Sequence, residues 1–252
     1  MVTSWIKGFI GRARHDRETA VPGIAPDERF VVVGDIHGRL DLLQALLMRV
    51  EDDCPLIFVG DYIDRGDYSA QVMRHLQHFD TAANRPVVCL MGNHEDMLLR
   101  FLDEPGRYAH HWFRNGGFQT LASFGITEFD LHPTNEIAEA VAGKLKQVMG
   151  AGLLSWLRDR PLIWSSGNVT VVHAALDPDL TVDDQQRQVC LWGHPMFPRR
   201  RRADGQWVVH GHTIIDRPRV NNGVVSVDTG AFATNRLTAA EIYRGGVRFV
   251  ST

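Results

Sequence analysis

The sequence predicts an α/β fold of the four-layer kind, with two mixed β-sheets in a central sandwich flanked by helices. Three observations predict it. Short runs such as "RFVVVGD", "PLIFVGD" and "RPVVCLMGN" are almost wholly apolar up to their last residues, as strands buried on both faces are. Each ends in glycine plus a polar group and passes into a helical pattern, which is the rhythm of βαβ units. Closely spaced strands return late in the chain, in "NVTVVHAAL", "QWVVHGHT", "VVSVDTG" and the hairpin "LTAAEIYRGGVRFV". These supply a second sheet packed on the first.

Residues 1–28 read as a basic N-terminal arm closed by the proline-glycine linker "VPGIAPDE". Its basic residues follow the short apolar stretch, whereas a signal peptide has them in front. A secondary reading puts Trp5, Ile6, Phe9 and Ile10 on one helical face, so that residues 1–17 touch a membrane surface or a partner. Residues 29–252 form the globular domain. In its first unit Leu40, Leu43, Leu46 and Leu47 share a helical face and are core. Residues 104–157 read as a helical insertion, aromatic- and glycine-rich in "PGRYAHHWFRNGGFQTLASFGI" and helical in "NEIAEAVAGKLKQVMGAGLLSWLRDR". It is expected to lie near the strand ends as a cap.

Composition excludes several classes. A net charge of −3 gives no reason to expect a nucleic-acid partner. No apolar run reaches the length of a transmembrane helix. Cys54, Cys89 and Cys190 lie far apart in apolar runs. They read as free buried thiols, which suits a reducing compartment and a cytoplasmic protein.

The chemistry is concentrated where the strands end. Asp35 and His37 end the first strand, Asp61 and Asp64 the second, Asn93 and His94 the third; His173 ends "NVTVV", and His210 and His212 follow "QWVV". Ligands of α/β sheets bind at such ends. Carboxylates, one amide and several imidazoles without a thiolate suit borderline divalent metals. They are too many for one tetrahedral zinc, but a shared carboxylate would accommodate two ions. Gly34, Gly60 and Gly92 precede the polar groups and permit sharp exits, while Gly38 and Gly66 permit close backbone approach.

As an ordered set, "GDIHGR", "GDYIDRG", "GNHE", "VVHAAL" and "HGHT" resemble the phosphoprotein phosphatase branch of the calcineurin-like metallophosphoesterases, the bacterial and lambda-phage serine/threonine phosphatases in particular. The resemblance extends from about residue 29 to 235, and "NGGFQTLASFG" and "VDTGAF" share it. It implies a dinuclear phosphomonoester hydrolase acting on phosphoserine or phosphothreonine of a phosphoprotein, with phosphotyrosine also accepted. Asp35, His37 and Asp61 would hold one metal, and Asp61, Asn93, His173 and His212 the other. Manganese is favoured, with iron or zinc as alternatives. His94 would be the general acid for attack by a metal-bridging hydroxide, and Asp64 its orienting carboxylate. Arg65, with Asn93, would contact the substrate phosphate.

The sequence departs from the family's "LWxR", in which the arginine is a second phosphate clamp: it reads "LWGHPMFPRRRR", with His194 at that place. Either His194 or an arginine of Arg199–Arg202 would substitute, or the substrate differs. Two other functions remain open. A diadenosine-tetraphosphate-type hydrolase shares the metal motifs, though the intact Asp64–Arg65 pair speaks against it. A non-enzymatic binding protein on the same fold is opposed by the complete ligand set. Glu95 is expected to brace the "GNHE" turn, and His210 to support a neighbouring pocket. His110 and His111 are placed on the surface or in a substrate groove, and Asp67 is left as a turn residue.

Overall fold

The computed structural model describes residues 22–252 except 52, 129 and 131; the expectations for residues 1–17 lie outside them. Three βα units open the fold: β1 (Phe30–Val33), α1 (Leu40–Leu47), β2 (Leu56–Phe58), α2 (Ser69–Ala82), β3 (Val87–Cys89) and α3 (Asn93–Asp103). Helices α4 (Pro105–Trp112), α5 (Phe118–Ser123) and α6 (Asn135–Arg158) follow, with a π-helical turn at Phe113–Gly117 between the first two. The rest comprises β4 (Ile163–Ser166), β5 (Val169–Val172), α7 (Arg187–Trp192), β6 (Trp207–His210), β7 (Arg219–Asn221), β8 (Val224–Ser226), α8 (Ala231–Thr234) and the hairpin β9 (Thr238–Tyr243) and β10 (Gly246–Ser251).

One sheet has the order β10-β9-β1-β2-β3 and the other β4-β5-β6-β8-β7. The centre of each is parallel, β1-β2-β3 in the first and β5-β6-β8 in the second, with antiparallel neighbours completing it. Strand alternation sorts the side chains into two cores. Phe30, Val32 and Ile57 point between the sheets, where they meet Val171, Val209 and Val225. Val31, Val33, Leu56 and Phe58 point the other way, onto Leu43, Leu46, Met73 and Leu98 of the helices. Each such side chain contributes about 1.5–3 kcal/mol when fully buried. The outer face of the second sheet has a thinner cover, with Val172 and Val208 packed on Leu176 and Cys190.

Helices α4 to α6 do not sit only above the strand ends. Trp112, Leu121, Leu145 and Leu157 are buried in the same core as the first-sheet helices. Helix α6 is capped by Thr134, whose hydroxyl accepts from Ile137 N, and is broken in direction at Gly150 (φ 79°). All three cysteines are free and buried, and no helix among the described residues is long and apolar enough to cross a membrane.

The exits of β2 and β3 touch backbone to backbone. Gly60 has φ 109°, and a Cβ there would lie 2.5 Å from Gly92 N. Gly60→Ala is therefore expected to lower stability by about 3 kcal/mol or more, through strain and a clash that backbone cannot relieve. Gly143 in α6 has open space around it, so Gly143→Ala should raise stability by about 0.5–1 kcal/mol. Urea unfolding of the two variants beside the parent checks both signs.

Candidate metal centre and active site

The predicted side chains converge because the turns after the strands are left-handed. His37 (φ 46°), Asp61 (53°), Asp64 (70°), Arg65 (69°) and His212 (62°) all lie in a region that non-glycine residues seldom adopt. Backbone bonds between the turns hold them there: Ile36 N and His37 N both donate to Asp61 O, at 3.0 and 2.9 Å, and Gly38 N donates to Tyr62 O at 2.8 Å. Asp35, His37, Asp61, Asp64, Asn93, His94 and His173 are buried, and Arg65 and His212 are half-buried.

Asp61 stands at the centre. Its Oδ2 lies 3.6 Å from His37 Nε2 and 3.8 Å from His94 Nε2, and its Oδ1 lies 3.4 Å from His173 Nε2. Two groups of potential ligands share it: His37, Asp61 and His94, and Asp61, His173 and His212, each within 4.8 Å. Asn93 Oδ1 completes the second group, 2.8 Å from His173 Nε2 and 2.9 Å from His212 Nδ1. The Asp35 carboxylate accepts from His212 N at 3.0–3.1 Å.

This donor set fits divalent cations. His37 Nδ1 lies 2.7 Å from Ile63 O and His173 Nδ1 lies 3.1 Å from Val59 O. A ring nitrogen facing a carbonyl carries the proton, so each Nε2 presents a lone pair to the centre. The lone pair of His173 is then aimed at two oxygens, Asn93 Oδ1 and an Asp61 oxygen, with no proton between them. A cation satisfies such a convergence of acceptors. Electrostatics agree. Burial, then Asp228 and Asp61, push the Asp35 carboxyl well above its usual range. Burial and neighbouring His94 hold His37 well below the ordinary histidine value, and burial takes His173 down to about 4. Neutral imidazoles already present the lone pair a metal needs, and a cation relieves the crowding of the carboxylates.

His94 is arranged differently. Its Nδ1 lies 2.6 Å from Asp64 Oδ2, and its Nε2 faces Arg65 Nη2 at 3.1 Å. Burial opposes its charge, but Asp61 and the bond to Asp64 outweigh burial and raise its pKa. Arg65 also reaches His37 Nε2 with Nη1 (3.0 Å), and its guanidinium lies 4.7 Å over the Phe232 ring. Glu95 accepts from Asp61 N (2.8 Å), Tyr62 N (2.8 Å) and Gly92 N (3.0 Å). It thus ties two strand exits together, where the sequence suggested a single turn.

Several residues at the site escape the sequence reading. Trp112 Nε1 donates to the Asp64 carboxylate at 3.0–3.1 Å and Thr120 Oγ1 donates to it at 2.6 Å. Asp228 is buried beside Asp35 and accepts from Gly230 N at 2.8 Å. The only signals were the stretches "NGGFQT" and "VDTGAF", whose spacing names no chemistry.

Other expected residues lie elsewhere. His194 lines a cavity of about 420 Å³ with Trp192, Phe197, His212 and Thr213, and its Nε2 lies 3.7 Å from Asp177 Oδ2. The arginine run supplies no obvious substitute clamp from its paired members: Arg202 is buried and donates to Asp177 O and Leu180 O (2.7 Å each), and Arg200 pairs with Asp179. His210 contacts Ser226 Oγ (2.8 Å) and packs its ring on Phe197, and its burial lowers it to about 4. His110 stacks on His132, whereas His111 lies beside Trp192 with ring centroids 6.0 Å apart. Asp67 is exposed.

Comparison with known proteins agrees with this geometry. Residues 28–216 match the family model for calcineurin-like phosphoesterases. The chain is 30% identical over 239 residues to an asymmetrical bis(5′-nucleosyl)-tetraphosphatase, PrpE, of Bacillus velezensis, with 83% of this chain and 87% of the relative covered. A crystal structure described as a candidate diadenosine tetraphosphatase superposes with TM-score 0.61 at 20% identity, covering 91% of this chain and 98% of the other. A protein serine/threonine phosphatase from Saccharomyces cerevisiae superposes with TM-score 0.57 at 17% identity, covering 90% and 80%; at these identities the two structures show the fold alone. The expectation of a phosphoprotein partner is overturned, because relatives that match over 83% of the chain are tetraphosphatases. The use of the intact Asp64–Arg65 pair to set nucleotide hydrolases aside falls with it.

Thr120→Val keeps the side-chain shape but removes the hydroxyl that both donates to the Asp64 carboxylate and accepts from Asp64 N (2.9 Å). Asp64 N keeps Ser69 Oγ as an acceptor (3.0 Å) and the carboxylate keeps Trp112 Nε1 as a donor, so the loss should cost about 0.5–1.5 kcal/mol per hydrogen bond removed, measured by denaturant unfolding at fixed metal concentration.

Proposed function

The chain belongs to the calcineurin-like phosphoesterase family and is a metal-dependent hydrolase of that type; on that premise we propose that its substrate is a bis(5′-nucleosyl) tetraphosphate. The observation that carries this reading is the agreement of tetraphosphatase relatives over 83% of the chain with an Asp61-centred pair of ligand groups beside a groove that runs past His212. Cleavage is at a phosphoanhydride, between one phosphate and the rest of the chain.

In this reading Asp35, His37 and Asp61 hold one divalent ion, and Asp61, Asn93, His173 and His212 the other. Oxygen and nitrogen donors without thiolate favour manganese, with iron or zinc as alternatives. When bound, the ions supply Lewis acidity and an activated water for in-line attack at phosphorus. Arg65 orients the reacting phosphate with its two-pronged fork, and Asn93 faces the same phosphate. His94, kept protonated at Nδ1 by Asp64, gives the proton on Nε2 to the departing oxygen. Trp112 and Thr120 keep the Asp64 carboxylate in place for that task. His194 contacts a further phosphate along the groove. The three free buried thiols fit a reducing compartment such as the cytoplasm.

The leaving group sharpens the role of His94. A phosphate leaves with a second pKa of about 6, whereas an alkoxide is a far stronger base and needs its proton in the transition state. His94→Asn should therefore slow an alkyl phosphomonoester toward the upper end of the about 10²–10⁴-fold range for general acids, and the tetraphosphate toward the lower end.

The direct test is hydrolysis of diadenosine tetraphosphate with added Mn²⁺, with products separated by ion exchange. Activity should vanish on chelation and return with Mn²⁺. Phosphopeptide hydrolysis with the tetraphosphate left intact would overturn the proposal. Asp61→Asn is expected to reduce bound metal from two ions per chain toward none, as read by elemental analysis.

A further inference from the structure

Trp192 lies at the end of α7 and forms a wall shared by two cavities. One is the groove of His194 and His212, which borders the ligand groups. The other, of about 470 Å³, lies on its far side and is lined by Met97, Arg100, Arg107, Tyr108, His111 and Trp192, with Gln188 at its edge. This size falls within the about 300–1,000 Å³ usual for small-molecule sites. Its lining is unusual for an ordinary surface hollow. Three aromatic rings come from two elements, Tyr108 and His111 from α4 and Trp192 from α7. Two guanidiniums stand over one ring, Arg107 Cζ 5.0 Å and Arg100 Cζ 5.9 Å from the Tyr108 centroid. Each arginine is steadied by a carboxylate, Arg100 Nε by Asp96 (2.7 Å) and Arg107 Nη1 by Glu104 (3.1 Å). The remaining guanidinium nitrogens make no further protein bond among the described residues.

We propose that this second cavity is a nucleoside subsite, which takes one base of the dinucleoside polyphosphate against Trp192 and His111. The proposal rests on the tetraphosphate reading and names where that substrate's distal end goes. Aromatic rings accept any base through its π-face, and the unpaired guanidinium donors suit phosphate oxygens. The order of groups matches the ligand. Phosphate chemistry sits at Asp61, the groove leads past His212 and His194, and the aromatic pocket opens beyond Trp192. A phosphomonoester too short to pass Trp192 would not reach it.

The test compares steady-state kinetics of diadenosine tetraphosphate and p-nitrophenyl phosphate, both with Mn²⁺. His111→Ala removes an exposed ring and leaves the core alone; Trp192→Ala removes the larger stacking surface. Loss of base stacking should raise KM for the tetraphosphate about tenfold or more, with kcat changed by about twofold at most. For His111→Ala, which lies outside the groove at the ligand groups, the ratio of kcat/KM on the tetraphosphate to that on the aryl phosphate should fall by the same factor. An unchanged ratio in both variants overturns the subsite. Binding of adenosine 5′-monophosphate, followed by calorimetry on the same manganese-loaded preparations, separates the two readings. If the parent leaves the tetraphosphate intact, the proposed function fails. The subsite is then supported if both variants bind the monophosphate about tenfold more weakly than the parent, and overturned if all three bind it equally.

Discussion

The centre depends on one buried carboxylate that touches neither a candidate ligand side chain nor the groove. Glu95 accepts three backbone N–H groups, those of Asp61, Tyr62 and Gly92, and so clamps the exit of β2 onto the start of α3. With that clamp in place, Asp61 Oδ1 accepts from His94 N at 3.0 Å, and the shared carboxylate is fixed relative to His94. Burial and the charge of Asp61 push Glu95 up to about 8, while the bonds from Asp61 N and Tyr62 N draw it back. An amide at position 95 could accept from Asp61 N and Gly92 N through its oxygen, but its NH2 would then face the third donor, Tyr62 N. The acid is therefore required for its acceptors rather than for its charge.

From that clamp the left-handed backbone follows. Of the seven non-glycine residues at positive φ among those described, five are His37, Asp61, Asp64, Arg65 and His212; the others are Asn222 and Asn235, a residue type that tolerates the region. Each such residue costs of order 1–3 kcal/mol, a large fraction of the about 5–15 kcal/mol by which a domain is stable. The strain is tolerable because rigid sheets lie beneath it and because the turns bond to one another. Its effect is to aim carboxylate and imidazole groups from separate strands at a common point before any ion arrives.

How much of this was legible depended on whether the determinant was local. The strand ends were legible because burial on both faces demands apolar runs, and a polar group after such a run stands out; Asp35, Asp61, Asn93 and His173 were found this way. Trp112 and Thr120 were not, because their bonds to Asp64 span 48 and 56 residues, and a tryptophan or threonine in an aromatic helix looks like core. The π-helical turn was equally hidden: Gly116, at φ 104°, brings its carbonyl to Arg65 N at 3.3 Å. The substrate was misread for a related reason. The roles proposed for Asp64, Arg65 and His94 concern a phosphoryl group, which phosphoproteins and polyphosphates share. In the proposed reading, what distinguishes the leaving group is read by groove walls on α3, α4 and α7, where no local spacing marks them.

The same distinction bears on the arginine that position 194 lacks. A phosphomonoester carries its charge on a single phosphorus, so two guanidiniums at one point match it well. A tetraphosphate spreads its charge over four phosphorus centres, and the cations that meet it need to be spread likewise. In this molecule the arginines are spread in that way: Arg65 stands at the ligand groups and Arg100 and Arg107 beyond Trp192, with His194 lining the groove between them. Arg202, which the sequence offered as a substitute clamp, instead binds Asp177 O and Leu180 O within its own loop. Histidine at 194 is then no weakened copy of a clamp. In the proposed reading it lines, with His212 and Trp192, the groove along which a chain of phosphates would pass.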